Sequence, residues 1–146
     1  MVARLFTNQR EAERYSLVRN FADETIIESL EDELKVSAAH AADLFEDVKR
    51  FLFLCATYKT PMCAPPRLDR AWHVFISFTE EYEDFCRRCL GGFVHHRPNR
   101  ALAPEGGLRH TYDAAERLFG DINQVWLPRD HERSSCMGLF VPRHAH

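Results

Sequence analysis

One run of apolar residues limits the possible folds of this chain more than any other feature. Between Ser37 and Lys59, apolar side chains recur every three or four residues. The run consists of Leu44, Val48, Phe51, Leu52, Cys55 and Tyr58. This spacing is that of one helical face, and Ser37 is a residue type that caps helix N-termini. Because Phe45 and Phe53 widen the apolar band, we expect a helix that is buried on more than one side.

Shorter helical patterns lie on both sides of this segment. The predicted helices cover 8–20, 23–34, 37–59, a stretch that starts at 67 or 68, 77–90 and 111–119. Asp23 is suited to cap the second helix, Ser77 and Glu80 have the spacing of a capping box, and Gly91 is a natural helix end. Three prolines within 60–66 predict a loop.

These patterns together predict an all-α protein. The expected architecture is a compact bundle of about five to six helices, because strand signals are weak throughout the sequence. Residues 93–98 are expected to be extended or turned. We expect a single helical domain over 1–128 and an irregular, flexible tail over 129–146, where no periodicity is seen. A chain of 146 residues is long enough to bury a hydrophobic core.

Charge and cysteine usage exclude several classes of protein. The net charge of -3 and the dispersed arginines disfavour a nucleic-acid partner. No apolar run approaches the roughly 18 residues that a membrane span needs, so no membrane association is expected. Five irregularly spaced cysteines favour reduced thiols and hence a cytoplasmic protein.

Reactive side chains are concentrated between Leu68 and Pro98. Asp69 and His73 are four residues apart and would share one helical face, Cys86 lies on the next predicted helix, and the pair His95 and His96 follows its end. Carboxylate, imidazole and thiolate groups are zinc ligands. The candidate metal ligands are Asp69, His73, Cys86 and His96. None of the strongly diagnostic zinc spacings occurs, so no cofactor is required by the sequence.

The same residues also have a structural interpretation. Trp72 is suited to anchor a core, His73 to bond Asp69, and Cys86 to pack as a small apolar group. The single CxxC motif, Cys86 to Cys89, falls late in a predicted helix, where the helix dipole disfavours a thiolate and therefore redox catalysis. A catalytic pair of Cys86 with a histidine is a further alternative.

The order of these motifs resembles a known family. A proline-rich loop is followed by Asp-x-x-Trp-His, then Tyr, Phe-Cys, Gly and His-His-x-Pro. The matching residues are Pro65 or Pro66, Asp69, Trp72, His73, Thr79, Tyr82, Cys86, Gly92, His95, His96 and Pro98. The pattern is similar to the bacterial branch of the glycine-rich domain-containing protein-like family. That resemblance implies a helical domain without an established reaction. Two features depart from it: Phe75 stands where the family has a second His, and the glycine-rich tail is missing.

Three functions fit these observations. The first is a small helical module, not an enzyme, that binds an unknown protein or small ligand. Its predicted binding residues are Asp69, Trp72, His73, Tyr82, Cys86, His95 and His96. The second is a metal-binding protein that holds zinc or iron, with hydrolase chemistry as one use of the ion. The third is an inhibitor or regulator that acts through protein–protein contacts.

Overall fold

Six helices and three short strands make up most of the residues that the structure describes. A computed structural model describes residues 6, 8–98, 106–127 and 136–143. The helices are α1 (Gln9–Asn20), α2 (Glu24–Leu34), α3 (Ala38–Tyr58), α4 (Pro66–Ser77), α5 (Thr79–Phe85) and α6 (Gly107–Phe119). The strands are β1 (Met62–Cys63), β2 (Gly92–Pro98) and β3 (Cys136–Pro142). A π-helical turn, Cys86–Leu90, continues α5, and a 3-10 turn covers Gln124–Trp126.

Helix α3 is the centre of the core, as its sequence predicts. The Ser37 hydroxyl accepts a hydrogen bond from the His40 amide, which fixes the start of the helix. Side chains on several sides of α3, including Phe45, Phe51 and Phe53, are almost fully buried. The helix contacts α1, α2, α4, α6, β2 and β3. Its apolar faces therefore hold both the helical layer and the sheet in place.

A buried lysine ties α1 to α3. The Nζ of Lys49 donates to the carbonyl oxygens of Phe21, at 2.6 Å, and Arg19, at 3.3 Å. These carbonyls lie at the C-terminal end of α1, where the helix dipole favours a cation. Glu46 lies one turn earlier and pairs with the same ammonium group. Since the side chain is only 1% exposed, the carbonyls and the carboxylate compensate for the loss of its hydration.

The three strands correct the all-α prediction. They form one antiparallel sheet in the order β1-β3-β2, so the protein is mostly helical with a small sheet. Strand β3 also corrects the expectation of an irregular tail for residues 136–142. Strand β2 pairs with it along its whole length, from Gly92 opposite Pro142 to Pro98 opposite Cys136. Each strand depends on a distant partner, which local periodicity does not report.

A glycine allows β3 to approach the core closely. A Cβ atom at Gly138 would lie 2.6 Å from the Cys55 Sγ and 3.3 Å from the Phe51 ring, both on α3. It would also lie 3.2 Å from Val94 of the neighbouring strand. Only a residue without a side chain fits at this crossing of strand and helix.

Several predicted boundaries shift. Helix α5 begins near the predicted position, but Phe78 precedes it and no capping box forms; the Ser77 hydroxyl instead donates to the Val74 carbonyl. Helix α6 starts at Gly107, one turn before the predicted start. Gly91 ends the π-helical turn in the left-handed region, as expected of a helix stop. Residues 99–105 and the tail segments 129–135 and 144–146 lie outside the described residues.

Among the described helices, none combines the length and the hydrophobicity that crossing a membrane requires.

Candidate metal centre

Four side chains with metal-binding atoms converge where α4 meets the sheet. They are Asp69 and His73 on α4, His96 on β2 and Cys136 on β3. One oxygen, two ring nitrogens and one sulphur lie within 4.8 Å of one another. We call these four residues the metal cluster. Three of them were predicted as ligands from the sequence, and the structure adds Cys136.

Helix geometry places the first two members. Asp69 and His73 are one turn apart on α4, so their side chains share a face. The Asp69 Oδ2 lies 3.4 Å from the His73 Nε2. Pro66 occupies the first turn of α4, where its missing amide hydrogen costs nothing, and this sets where the helix starts. The start of α4 therefore determines which way Asp69 points.

Strand geometry places the other two members. Successive side chains of a strand point to opposite faces, so β2 turns His96 toward α4 and the exposed His95 away from it. The His95 ring packs on Phe93, 4.8 Å away between centroids. Cys136 is the first residue of β3 and is paired with Pro98, and its carbonyl accepts from the Ala64 amide. Adjacent pairing of β2 and β3 thus brings the imidazole and the thiol together.

The spacing of the donor atoms suits a four-coordinate ion. The His96 Nε2 lies 3.0 Å from the Asp69 Oδ1, and the Cys136 Sγ lies 3.9 Å from the His73 Nε2. Tetrahedral zinc, with ligand bonds of about 2.0 to 2.3 Å, separates its ligands by about 3.3 to 3.8 Å. The observed separations lie on both sides of that range, with an upper limit of 4.8 Å, so the side chains would have to shift to complete a tetrahedron.

The cluster has a buried side and an open side. Cys136 is buried and the Asp69 side chain is 11% exposed, whereas the His73 side chain is 55% exposed. The His96 ring is held edge-on between two rings, Trp72 at 4.4 Å and His73 at 4.2 Å between centroids. Burial fixes the carboxylate and the thiol, and ring packing fixes His96, so three of the four ligands need little ordering to bind an ion.

A buried chain of hydrogen bonds fixes the position of His96 in the metal cluster. The Trp72 Nε1 donates to the Tyr82 hydroxyl, which donates to the Val94 carbonyl on β2. Burial raises the pKa of Tyr82 well above its ordinary value, so the hydroxyl stays neutral and can fill both roles. Since Trp72 packs on His96 and Val94 precedes it by two residues, this chain sets where His96 sits. Trp72 and Tyr82 are thus predicted binding residues that are buried.

Cys86, the thiol predicted as a ligand, does not join the cluster. It is fully buried beneath β2, in hydrogen-bonding contact with Tyr82 and with the backbone of Val94. Burial raises the pKa of Cys86 to about 11 and also raises the pKa of Cys89, so neither thiol of the CxxC motif forms a thiolate readily. Cys136 takes the place predicted for Cys86. The one sequence signal for it was a cysteine opening a short apolar run, CMGLFV, which is a pattern of buried strands.

Comparison with known proteins gives a different family from the one that the motifs resemble. No curated protein matches the chain, and no solved structure matches it. The model of the UCP032817-like family, an uncharacterised family, matches residues 13–120, well over half of the 146 residues. Membership of the glycine-rich domain-containing protein-like family was therefore a wrong prediction. Phe75, where that pattern has its second His, is a fully buried core ring against Phe45 and Phe85. The chain belongs to the UCP032817-like family.

Proposed function

We propose that this protein binds one zinc ion through the metal cluster and that the ion fastens β3 to α4 and β2. The observation that supports this most directly is the meeting of four donor atoms from three separate elements within 4.8 Å. These elements are distant in sequence, so the ion would close long loops of the chain. Closing long loops restricts the unfolded chain, which is how a structural metal adds stability.

The donor set favours zinc over iron and a structural role over hydrolysis. Two imidazoles, one thiolate and one carboxylate are all common zinc ligands, and zinc accepts them in a tetrahedron. A catalytic zinc keeps one position for water, whereas four protein ligands fill the tetrahedron. We therefore propose a closed site. A hydrolase would need one of the four residues to stay unbound to the zinc, so that water could take that position.

A partner-binding module was predicted to use a larger set of residues, and some of these residues are buried while others are exposed. Trp72, Tyr82 and Cys86 are 1%, 2% and 0% exposed, so they would act on a partner only through their neighbours. His73 and His95 are exposed and could touch one directly. Without an ion, the cluster is a hydrogen-bonded polar group in which Asp69 binds both His73 and His96. That arrangement is the alternative that the metal measurements must exclude.

The test is the zinc content of the purified protein. The wild type is compared with two variants, each of which changes one of two adjacent histidines. His96→Ala removes a proposed ligand, and His95→Ala changes the neighbouring residue, which points the other way. We expect about one equivalent of zinc in the wild type and in His95→Ala, and a loss of most of it in His96→Ala. Wild-type protein that stays metal-free after zinc loading and dialysis would refute the proposal.

Cobalt substitution tests the thiol. Cobalt replaces zinc in tetrahedral sites, and a thiolate ligand adds a charge-transfer band in the near ultraviolet. We expect this band in the wild type and in Cys86→Ala, and its loss in Cys136→Ala. A band that survives in Cys136→Ala but disappears in Cys86→Ala would show that the site uses the other thiol.

A further inference from the structure

A groove beside the first turn of α4 is a second candidate site. A groove of about 490 Å³ runs between α3, the start of α4 and the segment of the 3-10 turn. Its lining residues are His40, Asp43, Leu44, Asp47, Arg67, Asn123, Gln124, Val125 and Leu127. None of them belongs to the metal cluster. The volume falls in the range of small-molecule sites, about 300 to 1,000 Å³.

One wall of the groove is acidic. Asp43 and Asp47 are one turn apart on α3 and both line it. Asp47 is 2% exposed and held rigidly, because its two oxygens accept from the Asn123 amide and, at 3.0 Å, from the Trp126 indole. Asp43 is exposed and forms no ion pair with any residue that the structure describes. Asp47 also pairs with Arg50 at 3.9 Å, so the exposed Asp43 is the carboxylate of this wall that is open to a cation.

The groove is also lined by one positive side chain, Arg67. Arg67 is the second residue of α4, and within the described ranges no carboxylate pairs with it. The residue before α4, Pro65, provides no side-chain cap, so the first amides of the helix lack a side-chain acceptor. The helix dipole adds partial positive charge at the same end, and the first-turn Asp69, which belongs to the metal cluster, offsets part of it. A guanidinium beside an uncapped helix start is suited to a carboxylate or a phosphate.

The remaining lining is apolar. Leu44, Val125 and Leu127 face the groove, and Leu127 is 44% exposed. Burial of that leucine by a ligand would be favourable, since each Å² of apolar surface removed from water contributes about 25 cal/mol. The groove therefore combines acidic, basic and apolar lining residues within a space of small-molecule size.

We infer that this groove binds a small zwitterion of amino-acid or dipeptide size. The ligand's ammonium group would lie against Asp43 above Asp47, its carboxylate against Arg67 and the start of α4, and its side chain against Leu127. An amine alone would leave Arg67 unpaired, and a simple carboxylate would leave Asp43 unpaired. A single molecule with both charges pairs with both side chains, and this distinguishes zwitterions from either class of simple ion.

The experiment is titration calorimetry on the full-length protein. The probes are the standard amino acids and glycylglycine, with butylamine and acetate as singly charged controls. Asp43→Asn and Arg67→Gln each remove one charge of the groove. Asp113→Asn and Arg109→Gln remove the exposed ion pair of α6, at 3.4 Å, and serve as matched controls.

We expect at least one zwitterion to bind, and to bind about tenfold or more weakly in Asp43→Asn and Arg67→Gln, the scale of one charge-assisted hydrogen bond. Affinity should be unchanged in the two α6 variants. Arg67→Lys keeps the charge and should retain part of the affinity. Failure of the whole zwitterion panel, equal binding of butylamine or acetate, or binding unaffected in Asp43→Asn and Arg67→Gln would each overturn the inference. His96→Ala should bind the zwitterion normally, so this result does not depend on the metal site.

Discussion

The Tyr82 hydroxyl connects two buried groups, the Trp72 indole and the Val94 carbonyl. Tyr82→Phe keeps the ring but leaves the Trp72 indole N–H without its acceptor and the Val94 carbonyl without that donor. Each unsatisfied buried group costs about 1 to 3 kcal/mol. We expect the free energy of unfolding, measured in urea, to fall by about 2 kcal/mol. Tyr112→Phe, which removes a hydroxyl bonded to Glu116 on the surface, should change it by less than about 0.5 kcal/mol.

Asp47 gives the protein a pH dependence of unusual sign for a carboxyl group. Burial, the largest effect, raises its pKa above the ordinary value of 3.8 despite the bonds from Asn123 and Trp126. The folded state therefore holds the proton more tightly than the unfolded state. The resulting stability is present below pH 3.8 and is lost as the pH rises through the raised pKa.

The matching measurement compares the wild type with Asp47→Asn, which does not titrate at this position. The free energy of unfolding of the wild type minus that of Asp47→Asn should decrease as the pH rises from below 3.8 toward neutrality. Groups common to both proteins cancel in the difference. A difference that increases with pH would mean that the pKa is lowered in the folded state.

Residue types in the central stretch predicted part of the candidate site. Asp69 and His73 could be paired because helical spacing is local, and His96 was noticed as one of two adjacent histidines. The sequence did not say which of His95 and His96 faces α4, since that depends on the register of β2 with β3. Cys136 was missed because forty residues separate it from His96 and only strand pairing brings them together.

At the scale of elements, the crossing of β3 over α3 is the most sterically restricted contact. Gly138→Ala places a Cβ 2.6 Å from the Cys55 Sγ, so strand or helix must shift. Overpacking of this kind costs about 1 to 3 kcal/mol. We expect a loss of that size in unfolding free energy and, because β3 carries Cys136, weaker zinc binding.

A second substitution separates the clash from other effects. Cys55→Ala removes the sulphur that the new methyl group meets, so the double variant should regain part of the stability lost in Gly138→Ala. The coupling is measured by a double-mutant cycle. Strictly additive losses would contradict the close approach of β3 to α3.

Helices and strands differed in how far the sequence could predict them. Asn8, Asp23 and Ser37 each cap a helix through a side-chain bond to a backbone amide three residues later, and these signals are local. Residues 93–98 were expected to be extended or turned, but the sheet was missed because glycine and proline interrupt the alternation of β2 and β3. Each strand is stabilised by a segment far away in the chain. Gly138 of β3, for example, packs so closely on α3 that a Cβ atom would lie 2.6 Å from the Cys55 Sγ.

For the whole molecule, zinc binding should be linked to the stability of the fold. A ligand that binds only the folded state adds about 4 kcal/mol when its concentration is about a thousand times its dissociation constant. Zinc should therefore raise the thermal unfolding midpoint of the wild type, and a chelator should reverse this. Hydrogen exchange should slow most in β3 and in the adjoining part of β2.

Cys136→Ala is the control for this linkage. It should fold, since Cys136 is at the end of the strand, but its unfolding midpoint should not respond to zinc. A zinc response of equal size in Cys136→Ala would assign the stabilisation to another site.

The position of β3 in the sheet has a consequence for synthesis on the ribosome. It is the last described strand in the chain but lies between the two earlier ones, β1 and β2. Until it has been translated and has left the exit tunnel, β1 and β2 have no strand to join them, and His96 has no thiol beside it. The nascent chain can assemble its helices as they emerge, but the sheet must form last and over long sequence separations, which is slow. Zinc loading would consequently follow the synthesis of β3 and mark chains that have been made at least that far.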